Sequence, residues 1–128
     1  PLGSTREARA DDDLAPHRRA FALIDGDPAH VLVVAADADE VVGTCQLSFV
    51  PGLARRGALR AQLEAVRVRA DHRGRGLGEA MIGWAIGEAR RRGCALVQLT
   101  TDKARADAHR FYERLGFRAS HEGFKLPL

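Results

Sequence analysis

Six consecutive residues, Arg73-Gly74-Arg75-Gly76-Leu77-Gly78, combine backbone freedom with positive charge at the seam between two periodic segments. Glycines without a Cβ let successive amide N–H groups point into one concavity, and a helix starting there adds the positive end of its dipole. Such a concavity suits a phosphate oxygen. Arg73 and Arg75 add donors that match a pyrophosphate. Two other phosphate motifs are excluded by spacing. Gly74-x-Gly76-x-Gly78 is not the Gly-x-Gly-x-x-Gly dinucleotide fingerprint, no acidic residue closes a strand where a ribose would need one, and no Gly-Lys-Ser/Thr ending follows. Taken alone, a Gly-x-Gly also reads as a tight turn with two solvated arginines. The loop must therefore be judged by what flanks it.

Upstream, Leu63-Glu64-Ala65-Val66-Arg67-Val68 alternates like a half-buried strand. Downstream, Leu77, Met81, Trp84, Ala85 and Ala89 recur at helical spacing, and Arg90-Arg91-Arg92-Gly93 supplies the basic residues and glycine of a helix end. Before these, Thr5 to Asp13 reads as a polar loop ending in helix-capping aspartates. Leu14 to Ile24 is expected as a short helix with Pro16 in its first turn, stopped by Asp25-Gly26-Asp27-Pro28. The apolar run Val31 to Ala36 reads as a central strand. It forms a hairpin with Val41 to Phe49, where Val41, Gly43, Cys45, Leu47 and Phe49 alternate with polar residues. Pro51 to Arg60 is a loop carrying Arg55, Arg56 and Arg60, a solvated segment that could also meet an anionic acceptor group. After the helix come a strand from Cys94 to Thr101, a helix with Ala108, Phe111, Tyr112 and Leu115 on one face, and a last strand or hairpin limb from Phe117 to Leu126. Strands followed by strand–helix–strand–helix predict an α/β fold, a mixed, mostly antiparallel central sheet with helices on both faces.

With 128 residues the chain is expected to form one domain, 1–128, with a single core. No apolar run approaches the ~20 residues of a membrane span. Cys45 and Cys94 stand in separate predicted strands without metal-like spacing, so free buried thiols and a cytoplasmic location are expected. The five histidines likewise lack ligand spacing, and no metal is predicted. A formal net charge of +3 could suit nucleic acid, but the arginines are dispersed and no aromatic-rich or recognition-helix signature accompanies them. Attraction of an anionic small molecule explains the charge more economically. Pro1-Leu2-Gly3-Ser4 resembles the remnant of a cleaved affinity tag.

The pattern Arg73-x-x-Gly76-x-Gly78 resembles the acetyl-CoA pyrophosphate loop of the GNAT superfamily of N-acetyltransferases, in which Gly74 and Arg75 also belong to the cradle. Ala108-His109-Arg110-Phe111-Tyr112-Glu113-Arg114-Leu115-Gly116-Phe117 is similar to the family's closing helix, and Glu64-x-Val66-x-Val68 to its strand before the loop. The three blocks follow in the family's order, and the resemblance covers roughly residues 31 to 128. No counterpart of the family's first strand and helix precedes Asp11, so an incomplete N-terminal sheet edge is expected.

The resemblance implies that the strands ending near Val68 and Thr101 splay apart, and that the pantetheine arm of acetyl-CoA bonds the backbone of Val66 and Val68. An amide there would polarise the thioester carbonyl. It implies that Tyr112 protonates the departing thiolate, although Tyr112 also falls on the apolar face with Phe111 and Leu115, where an aromatic packs as core. Glu64 matches the family's general base; its other reading is a strand carboxylate paired with Arg60 or Arg67. Many members carry an asparagine seven residues before the tyrosine. This chain has Arg105, which could contact a phosphate. The implied activity is acetyl-CoA-dependent acetylation of a small-molecule primary amine, and a homodimer is compatible with it. Leu99-Thr100-Thr101-Asp102, Asp107 to Tyr112 and Ser120-His121 are more specifically similar to aminoalkylphosphonate N-acetyltransferases. A protein or peptide amine acetyltransferase and a non-catalytic acyl-CoA-binding domain are the alternatives.

Overall fold

A computed structural model describes residues 13–128. The tag-like Pro1–Ser4, most of the polar segment after it and the sequence expected to lack the first strand and helix lie outside the described residues. The element order is α1 (Ala15–Asp25), β1 (His30–Asp37), β2 (Glu40–Pro51), a single turn α2 (Ala54–Gly57), β3 (Leu59–Val68), α3 (Leu77–Arg91), β4 (Leu96–Gln98) and α4 (Ala106–Arg114). The sheet order is β1-β2-β3-β4, with two antiparallel pairs and a parallel β3–β4 pair. This is the α/β fold with a mixed, mostly antiparallel sheet that the element pattern predicts.

One cluster joins the layers. Cys45, Leu47 and Phe49 of β2 and Ala61, Leu63 and Val66 of β3 meet Met81, Ile82, Ala85 and Ala89 of α3 and Ala108 and Tyr112 of α4. Gly43 lets α3 seat this closely: a Cβ there would stand 2.7 Å from the Met81 sulfur. At the far end of α3, Glu88 binds Arg91 and Arg92, and Arg92 stacks 4.0 Å over the Phe49 ring while donating to the Pro28 carbonyl.

Several local expectations need correction. Val31–Ala36 is not central among the described residues, since β1 pairs with β2 alone. Val41 is exposed and Val42 buried, because Ala35 pairs with Gly43 while Ala36 pairs with Val41. The extra residue shifts the alternation by one. Trp84 is half exposed, as it lies about 115° from the centre of the buried stripe at 3.6 residues per turn; Ile82 fills the place instead. The β4 ladder is only Leu96–Gln98, shorter than the expected Cys94 to Thr101. Residues 117–126 form no strand, and Phe124 and Leu126 are exposed. That segment runs past Thr100 and Lys103, with Lys103 Nζ 3.7 Å from Glu122, but the chain it follows has already turned at Asp102 and offers no straight ladder.

Candidate active site

The departure from regularity in β3 builds the site. Thr44 pairs with Arg67 and Gln46 with Glu64, so Ala65 and Val66 together oppose Cys45. This is a β-bulge, and Ala65 takes φ 53°, a left-handed conformation costly for a residue with a Cβ. Strict alternation would place Leu63 and Ala65 together on one face and Glu64, Val66 and Val68 on the other. The bulge instead sends Leu63, Val66 and Val68 into the core and leaves Glu64, Ala65 and Arg67 exposed. Glu64 therefore does not share a face with the two valines. The spacing of three then two in Leu63, Val66, Val68 was the available sign.

The bulge also re-aims the backbone. Arg69 N–H donates to the Val42 carbonyl at 2.8 Å, so the peptide groups of Arg69 and Arg67 face β2. Those of Val66 and Val68, on either side of Arg67, face the other way by alternation. On that side β4 pairs only with Arg60, Ala61 and Gln62 and then diverges. The gap is a cleft of roughly 200 Å³ lined by Leu63 to Arg67, Leu99 to Asp102, Arg105, Ala108 and Tyr112. The parallel strands separate as the splayed arrangement requires, and Glu64, Val66, Arg105 and Tyr112 come together in one cleft.

Tyr112 is buried among aromatics, its ring edge-on to Phe111 at 5.2 Å and to Phe117 at 5.7 Å. Among the described residues its hydroxyl has no hydrogen-bond partner. Burial raises its pKa above the ordinary phenol value, against a smaller lowering by Arg105. The group thus stays protonated at neutral pH, as a proton donor must. Tyr112 thus belongs to the core cluster and also lines the cleft. Arg105 precedes the first turn of α4 at the cleft wall, where its N–H donates to the Asp102 carbonyl at 3.0 Å. His109 Nε2 donates to the same carbonyl at 3.0 Å.

Beyond Val68 the chain makes a 3₁₀ turn, Ala70–His72, and enters the glycine loop. Gly74 and Gly76 have φ 75° and 80°, and a Cβ on either would meet nothing within 4 Å. Glycine is needed there for conformation, not for space. Gly76 caps α3, and among the described residues no side chain accepts from the first-turn N–H groups of that helix. A 15-residue helix that opens without a side-chain cap leaves donors for a ligand. Gly78 is buried in its first turn. Arg73 departs from the simple reading of a pyrophosphate arginine: its Nε donates to the Val68 carbonyl at 3.0 Å, closing the loop onto the strand end. That carbonyl is consequently already engaged, whereas Arg75 is exposed in the loop.

Five side chains that sequence reasoning passed over fix this loop from outside. Arg69 bonds Glu40 at 3.1 Å and Asp71 at 2.7 Å, and His72 bonds Asp71 at 2.9 Å and Asp37 at 3.0 Å. Their partners Asp37 and Glu40 lie 29 or more residues away, which no local pattern reveals. Among the described residues no group of His, Cys, Asp and Glu is arranged to hold a metal ion, and no helix is long and apolar enough to cross a membrane. Both cysteines are free, and burial raises both thiol pKa values.

Known proteins resemble this chain in sequence and in fold. Aminoalkylphosphonate N-acetyltransferase of Salmonella typhimurium is 39% identical over 67 residues, covering 52% of this chain and 44% of the relative. Glucosamine 6-phosphate N-acetyltransferase of Trypanosoma brucei brucei is 35% identical over 88 residues, covering 69% of this chain and 58% of the relative. The chain thus spans about half the length of these curated relatives. A crystal structure described as a transcriptional regulator from Bacillus halodurans C-125 superposes with a TM-score of 0.84 at 46% identity, over 93% of this chain and 87% of that one. The acetyltransferase (GNAT) family matches residues 4–117, beginning earlier than the motifs suggest and stopping before the unpaired C-terminal segment, and the chain belongs to that family.

Proposed function

We propose that the chain is an acetyl-CoA-dependent N-acetyltransferase that transfers acetyl directly to the primary amine of a small molecule. The observation that carries this reading is the single cleft in which Glu64 and Tyr112 meet beside the outward-facing backbone of Val66, with the uncapped start of α3 following. Acetyl-CoA supplies the activated acetyl thioester. The loop from Arg73 to Gly78 holds its pyrophosphate through backbone N–H groups, and the Val66 N–H donates to the thioester carbonyl oxygen. Glu64, exposed at the cleft mouth, accepts the proton that an ammonium must lose before attack. Tyr112 supplies a proton to the sulfur. Arg67 and Arg105 in the cleft suit an acceptor with an anionic group, in keeping with relatives named for a phosphonate and a phosphate.

The deciding experiment is acetyl-CoA turnover, read as free thiol, against aminoalkylphosphonates, hexosamine phosphates, uncharged amines and lysine peptides. Turnover confined to the anionic small amines supports the reading, and turnover of peptides alone overturns it. A second reading, a non-catalytic acyl-CoA-binding domain, draws on the neighbour described as a transcriptional regulator. Binding of acetyl-CoA with no thiol release from any amine would favour it.

Two substitutions test the assignments separately. An aspartate replacing Gly76 would cap α3 with its own carboxylate, offsetting the strain of its Cβ, and would occupy the donors meant for phosphate. Gly76→Asp should therefore leave the melting temperature near parental while weakening CoA binding by at least ~10-fold in calorimetry. Glu64→Gln should leave CoA affinity unchanged and lower turnover about tenfold where the amine is protonated, the deficit shrinking as pH rises and neutral amine needs no base. A turnover–pH profile parallel to the parent's would place the base elsewhere.

A further inference from the structure

The glycine loop is anchored on its strand side by a cluster of charged groups. His72 is the last residue before Arg73 and its side chain is 15% exposed. One ring nitrogen lies 2.9 Å from Asp71 and the other 3.0 Å from Asp37, at the end of β1. Both carboxylates need a donor, and only the imidazolium carries an N–H on each nitrogen. Asp71 also receives two bonds from Arg69, whose Nη1 reaches Glu40 at the start of β2. The β1–β2 turn, itself bent through a left-handed Ala38, thereby grips the loop at its last residue before Arg73.

We propose that His72 is a positioning residue for the glycine loop, whose protonated form holds the loop between Asp37 and Asp71 in the shape that grips a pyrophosphate, so that affinity for CoA falls as pH rises. This rests on the loop being the pyrophosphate site. When the imidazolium loses its proton, one nitrogen becomes a lone pair facing a carboxylate at about 3 Å, and that contact turns repulsive. His72 is then tied to Asp37 or to Asp71, but not to both, leaving Arg69 alone to bridge the loop and the β1–β2 turn, and a positive charge beside the phosphate site is lost as well.

The direction of the pH effect follows from the same groups. Asp37 first, then Asp71, raise the His72 pKa above the ordinary imidazole value, while Arg69 opposes them. A raised value in the folded state means the contact is fully present below about pH 6.5 and is lost as pH passes through the raised value. The window therefore lies above the ordinary imidazole titration.

The test is calorimetric binding of 3′-dephospho-CoA, which keeps the pyrophosphate and lacks the 3′-phosphate that titrates in the same range, from pH 6 to pH 8.5. The parent should bind about fivefold more weakly at the upper end. His72→Gln, which cannot titrate, should bind with a flat profile near the parent's weaker limit. Asp37→Asn, a change at an exposed turn that does not threaten folding, should lessen the slope even if the glutamine variant is unstable. A flat parental profile, or equal slopes in parent and Asp37→Asn, overturns the inference and leaves the proposed activity standing. No binding by the parent at any pH removes the pyrophosphate reading and the inference with it.

Discussion

Deleting Ala65 should yield a protein that folds at least as well as the parent and has lost more than ~10²-fold of its turnover. Without it, Leu63, Glu64, Val66, Arg67 and Val68 alternate in regular order, and Cys45 opposes Val66 in an unbroken ladder between Gln46↔Glu64 and Thr44↔Arg67. The left-handed Cβ disappears, worth ~1–2 kcal/mol of relieved strain. The bend that the bulge puts into β3 would go with it, however, and with that bend the separation from β4 that opens the cleft. Ala65→Gly is the matched control, since it keeps the bulge while removing the Cβ, and it should keep turnover near parental. Urea denaturation with thiol-release assays on all three proteins checks both halves. Loss of folding in the deletion would show that the bulge is required by the core and not by the cleft.

Tyr112→Phe should lower turnover by ~10²-fold while leaving stability and CoA affinity near parental. The ring keeps its edge contacts with Phe111 and Phe117 and its place in the core. The hydroxyl has no described hydrogen-bond partner, so removing it strands no buried donor or acceptor. The loss should shrink with an acyl donor whose thiol is a better leaving group, because that sulfur needs less protonation. Parental turnover with both donors would leave Tyr112 as core alone.

Much of the architecture was legible because local chemistry and tertiary packing agree. The hairpin from Val31 to Phe49, the helix opening after Gly76 and the helix ending at Gly116 follow directly from alternation, helical spacing and glycine placement. The cleft was legible at the level of motif: the resemblance placed Glu64, Val66, Arg105 and Tyr112 at one site, and all four line the gap or its backbone wall. What escaped was the set of features that depend on a partner strand. A bulge is a mismatch between two strands, so neither Val42 nor Ala65 announces it alone. The ties from Arg69 and His72 to the β1–β2 turn are products of topology, and Asp37 and Glu40 look like ordinary turn residues until the sheet brings them near. Residues 117–126 failed for a related reason: alternation marks the capacity to be a strand, and a strand also needs an edge to pair with.

If the start of α3 holds a phosphate as proposed, its missing side-chain cap ties the chain's durability to its supply of ligand. A helix whose first turn is left open by its own sequence is completed by whatever anion settles there, so filling the site adds to folding free energy as well as to occupancy. At a ligand concentration 100-fold above its dissociation constant the gain is ~2.7 kcal/mol, comparable to a good core substitution. Starved of ligand, the molecules would spend more time opened and would meet proteases more often. On the proposed function, the amount of protein present would then rise and fall with the abundance of that ligand.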